Sequence, residues 1–113
     1  SKTIDGNVVF IDDDNRHMYD LHYGIRFVET SMFKICDYEV FIGFIYGILS
    51  QNGDIQKIFV DGLNNIIRSL NSEDVENLCE ILDRISNDYN VDFTLIYSAP
   101  LSAVPDQVRK FVI

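Results

Sequence analysis

The sequence predicts an α/β fold, a three-layer α/β/α sandwich built on a mostly parallel sheet. Three observations predict it. Short runs rich in β-branched and aromatic residues, at 8–11, 58–60 and 91–96, are apolar and bounded by turn residues, as strands buried on both faces are. The stretch 72–89 repeats apolar residues at three- and four-residue spacing, and it is long enough to be a right-handed crossover between the last two runs. The length of 113 residues, 47% of them hydrophobic, supplies one core and one domain, residues 1–113.

The elements follow in order. Val8-Val9-Phe10-Ile11 stands between Asp5-Gly6-Asn7 and Asp12-Asp13-Asp14 and reads as the first buried strand. Residues 25–28 alternate Ile25 and Phe27 with Arg26, which suits either a strand or the end of a helix begun near Asn15. A further extended piece at 32–35 could pair with it, giving an extra hairpin near 25–35. Asp37 is placed to cap a helix with Glu39 in its first turn. From Val40 to Leu49 every residue of that helix is apolar or Gly, with Gly43 and Gly47 open to close approach and Asn52-Gly53 ending it.

Asp61-Gly62 closes the second strand. Asn71 or Ser72 caps the next helix, whose first turn carries Glu73, Asp74 and Glu76. Its apolar stripe is Val75, Leu78, Leu82 and Ile85, with a polar face opposite. Tyr97-Ser98-Ala99-Pro100 leaves the third strand. Pro105 suits a turn or helix start, and 111–113 a final strand or helix end.

Composition excludes several classes. A net charge of −9, with nine Lys and Arg scattered along the chain, argues against nucleic acid and anionic membranes. The longest apolar stretch, 40–49, is too short to span a bilayer, and the first residues carry no apolar signal segment, so a cytoplasmic location is expected. Cys36 and Cys79 have no Cys or His at zinc-ligand spacing and read as core thiols. His17 and His22, five apart, would not stack on a helix, and no G-x-S-x-G elbow surrounds Ser98.

Parallel sheets bind ligands beyond the carboxyl ends of their strands. Those ends carry Asp12, Asp13 and Asp14 after the first strand, Asp61 after the second, and Tyr97 and Ser98 after the third. Asp12, Asp13 and Asp61 on one rim could hold Mg²⁺ through oxygen ligands and water. Acidic residues are also ordinary strand terminators.

Ile58-Phe59-Val60-Asp61 resembles the Walker B strand of RecA-like P-loop ATPases, an apolar strand ending in Asp. Residues 8–12 are similar to the strand after the phosphate-loop helix of that family, and 93–98 to its next core strand. No G-x-x-x-x-G-K-[ST] is present, and Gly62 stands where a catalytic Glu is often found. The resemblance therefore implies a degenerate or truncated core that lacks ATP hydrolysis and needs no cofactor. Response-regulator receiver domains offer a second resemblance: Asp12 and Asp13 match their acidic pair, Asp61 their phosphoacceptor and Ser98 their hydroxyl residue. Arg109 and Lys110, with no Pro after them, depart from the receiver pattern.

The reading that follows is a non-catalytic α/β protein with an ATPase-like core, acting through protein contacts. A homodimer is expected through the apolar helix, with Ile42 and Tyr46 at the interface. The alternative is a Mg²⁺-dependent phosphoacceptor or nucleotide-binding domain that uses the acidic rim.

Overall fold

The computed structural model of the chain describes residues 7–13, 25–51 and 53–96. Within them run β1 (Val8–Asp12), β2 (Ile25–Glu29), α1 (Tyr38–Gln51), β3 (Lys57–Asp61), α2 (Leu63–Ile66), α3 (Ser72–Tyr89) and β4 (Asp92–Ile96). The strands form one sheet in the order β2-β1-β3-β4, and each neighbouring pair is parallel. The three expected strands are therefore adjacent and parallel in an α/β fold.

Residue pairing explains which face of the sheet meets the core. Val9 lies beside Ile58 and Ile58 beside Phe93, while Ile11 lies beside Val60 and Val60 beside Leu95. All six are buried. Side chains alternate along a strand, so these six share one face. The connections β2-α1-β3 and β3-α3-β4 both step the same way across the sheet, and right-handed crossovers place both helices on one side of it. There Phe41, Ile45 and Leu49 of α1 join Val75, Leu78, Cys79, Leu82 and Ile85 of α3 in the same core. The opposite face carries a half-buried aromatic row in which Phe10 stacks with Phe27 and Phe59, ring centroids 6.1 Å apart in each pair. Lys57 places its ammonium 5.1 Å from the Phe59 ring. The described residues thus show the sheet and one helical layer. Residues 14–24 and 97–113, where a second helical layer would have to arise, lie outside them.

Local chemistry sets the element ends. Asp37 Oδ1 accepts the Val40 amide at 2.9 Å, the expected cap of α1. Asn71 and Asp74 form a reciprocal capping box at the start of α3. Asn90, in the left-handed region at φ 53°, closes that helix by donating its amide to Ser86 O.

Several expectations are corrected. Residues 25–29 form an edge strand parallel to β1, and 32–35 form no strand, so there is no hairpin near 25–35. The reason lies at Thr30. Its amide and Oγ1 both donate to Asp12 O, at 2.8 and 3.2 Å, and its own carbonyl accepts the Phe33 amide at 2.9 Å. That turn sends the chain off the sheet toward α1. Cys79 is a core thiol, but Cys36 is exposed. Gly43 and Gly47 are exposed, and a methyl group built on either would meet nothing within 4 Å, so no described element of the chain exploits the space. The short helix α2 was not expected, because four residues carry no periodic signal.

Candidate functional site

The strand order singles out one position on the sheet before any side chain is considered. The chain runs outward from β1 to β2, then returns across β1 to β3. The direction of winding reverses between β1 and β3, and in open parallel sheets the crevice beyond the carboxyl ends at that point is where ligands bind.

A cleft of about 410 Å³ opens at this edge. Asp13 reaches it from the end of β1, and Thr30 and Ser31 from the end of β2. Phe33, Ile35 and Cys36 come from the segment before α1, and Asn65, Ile66, Arg68 and Ser69 from α2 and the turn behind it. The walls are held by the backbone. Thr30 is strapped to β1 through Asp12 O, and Ser69 Oγ donates to Cys36 O at 2.7 Å, tying the two sides of the cleft together. Ser31 Oγ donates to the Glu29 carboxylate.

Gly62 makes the turn from β3 into α2. At φ 72° it occupies a region that favours glycine, and its amide donates to Ile96 O at 2.7 Å while its carbonyl accepts the Asn65 and Ile66 amides. A Cβ there would lie 3.3 Å from Asn65 Nδ2 and 3.7 Å from Asp13 Oδ1. Gly62 therefore lets the end of β1 and the α2 turn close on each other at the reversal point.

The expected rim residues divide. Asp12 is fully buried, and its Oδ1 accepts the Asp13 amide at 2.7 Å. Asp61 ends β3 half-buried, on the face that also carries Phe59. Asp13 lines the cleft. Asp14, Tyr97 and Ser98 lie outside the described residues, as do His17 and His22. Among the described residues no three of His, Cys, Asp and Glu converge as a metal-binding group. Of the expected interface pair, Tyr46 is exposed and meets the Tyr89 ring edge-on at 6.1 Å, whereas Ile42 is half-buried against the core.

Thr30, Ser31, Asn65, Arg68 and Ser69 were missed by sequence reasoning. Their one signal is placement: Thr30-Ser31 follows a strand, and Asn65, Arg68 and Ser69 follow another within eight residues of its end. No family model, curated protein or solved structure matches the chain.

Proposed function

We propose that this chain is a non-catalytic α/β module that acts by self-association through the outer face of α1. One observation carries the reading. The exposed large hydrophobic residues among those described are Met32, Phe33, Val40, Tyr46 and Tyr89. All of them gather around α1. Val40 and Tyr46 are on it, Phe33 packs on Phe44 at 5.4 Å between ring centroids with Met32 beside it, and Tyr89 packs on Tyr46. From Val40 to Gln51 the helix carries no charge. In an acidic protein, a charge-free apolar band is the surface on which two copies meet with least repulsion. A two-fold contact suits it, since one patch then serves both partners. The ATPase-like core, lacking a phosphate loop in this sequence, is the scaffold that presents the helix.

Light scattering across a concentration series tests the proposal. The mass should rise toward twice the 13.0 kDa of one chain, and Tyr46→Asp or Val40→Asp should return it to the single-chain value. A single-chain mass at every concentration would reject it.

A second reading, the Mg²⁺-dependent phosphoacceptor, is favoured by one feature. Because β1 and β3 are neighbours, Asp12 and Asp61 end adjacent strands on the same side of the sheet. Treatment with a phosphodonor and Mg²⁺, followed by intact mass, should then add one phosphoryl group that Asp61→Asn abolishes.

A further inference from the structure

The cleft at the reversal point carries two opposite charges that are not spent on each other. Asp13 and Arg68 both line it, yet among the described residues neither side chain makes an ion pair or hydrogen bond. The wall between them mixes the polar groups of Ser31, Asn65 and Ser69 with the apolar surfaces of Phe33, Ile35 and Ile66. We propose that this cleft binds a free α-amino acid with an apolar side chain. Its carboxylate sits on Arg68, its ammonium on Asp13, and its side chain lies against Phe33, Ile35 and Ile66.

Elimination by charge carries the argument. A simple anion would gain Arg68 but face the Asp13 carboxylate and the field of a chain with net charge −9. A simple cation would gain Asp13 but face the guanidinium, and the described residues offer it no group of three ligands. A neutral ligand would leave both charges without a partner at the point where water is displaced. A zwitterion satisfies both groups, brings no net charge, and presents to Arg68 the planar carboxylate that its donor fork matches. The volume, about 410 Å³, is at the small end for ligand pockets and suits a single residue with room for water.

Cys36 supplies a built-in reporter. It lines the cleft and is exposed, while Cys79 is buried, so alkylation reads the cleft alone. Leucine and phenylalanine are titrated while amide chemical shifts are recorded, and the rate of Cys36 alkylation by iodoacetamide is measured in parallel. Both amino acids should give saturable shifts at Asp13, Ser31, Cys36 and Arg68 and should slow alkylation. N-acetyl-leucine lacks the ammonium and leucinamide lacks the carboxylate, so each should bind about tenfold more weakly or worse, the loss of one charge-assisted contact. Arg68→Gln and Asp13→Asn should weaken leucine by the same factor with the unfolding midpoint unchanged. If a variant fails to fold, the two blocked analogues tested on the natural chain decide alone.

The proposal is overturned if leucine and phenylalanine give no saturable shift. It is equally overturned if either blocked analogue binds as tightly as leucine, or if inorganic phosphate or magnesium chloride protects Cys36 where leucine does not. Phe33 is shared with the proposed self-association surface, so the titrations are run at a concentration where light scattering gives the single-chain mass.

Discussion

Helices α1 and α3 each carry the chain between parallel strands over the same side of the sheet, and they pack side by side. Their inner faces are alike: Phe41, Ile45 and Leu49 on one, Val75, Leu78, Leu82 and Ile85 on the other, all buried. Their outer faces differ. That of α3 exposes Glu73, Glu76, Glu80, Asp83, Arg84 and Asp88, the solvated surface of a helix with one buried stripe. That of α1 exposes Glu39 in the first turn and then, without a further charge, Val40, Gly43, Tyr46, Gly47, Ser50 and Gln51. The fold asks the same of both helices, and α3 shows that a charged outer face meets the demand. Among the described residues Val40 and Tyr46 stay exposed on α1, and the proposed self-association rests on this difference between the two outer faces.

The largest test of the comparison is whether the inner faces are equivalent. Phe41 and Leu78 are both fully buried. Phe41→Ala and Leu78→Ala should each lower stability by about 3 kcal/mol or more in urea unfolding, the cost of lost contacts plus a cavity. A loss below about 1 kcal/mol at Phe41 alone would mean that α1 is not packed as α3 is, and the contrast between their outer faces would lose its footing.

A middle-sized effect separates glycines that the fold requires from glycines that it does not. At Gly62 the backbone is left-handed and a side chain would crowd Asn65. Gly62→Ala should cost about 1 kcal/mol or somewhat more, since an L-residue is strained there. The same measurement in urea reads it. An unchanged midpoint would show that the turn from β3 into α2 does not need glycine.

What the sequence made legible follows the same division. Strands β1, β3 and β4 announced themselves as apolar runs because each turns a buried pair toward the helices: Val9 and Ile11, Ile58 and Val60, Phe93 and Leu95. The strand β2 was ambiguous because it turns no fully buried residue toward the core. Each of its residues is only half-buried, and Arg26, the second of the five, pairs with Asp54 at 3.2 Å outside the sheet. The capped starts of α1 and α3 were legible from Asp37 and Asn71, since a cap is a local bond. The cleft was not. Its lining comes from three separate stretches, 13, 30–36 and 65–69, and only the sheet order brings them together. Asp13 was picked out because acidic residues at strand ends attract notice. Arg68 was passed over because it follows a short helix that leaves no periodic trace.

The smallest expected effect is the most informative, because its two readouts should move in opposite directions. Gly43 and Gly47 sit in the interior of α1, exposed, with open space where a side chain would go. Glycine in a helix interior gives up about 0.5–1 kcal/mol relative to alanine, chiefly through backbone entropy. Within one chain nothing described repays that sacrifice. Gly43→Ala and Gly47→Ala should therefore each raise the stability of the single chain by about that amount, measured in urea at a concentration low enough to keep it monomeric. Self-association should weaken in each of the same variants, because the added methyl group then occupies the notch between Val40, Tyr46 and Ser50 into which a partner backbone would settle. A gain in stability with unchanged association would keep the contrast between the helices but move the contact off the glycines, toward Met32 and Phe33. A fall in stability would mean that the space beside the two glycines is already taken within the chain, and the outer face of α1 would then be part of the fold after all.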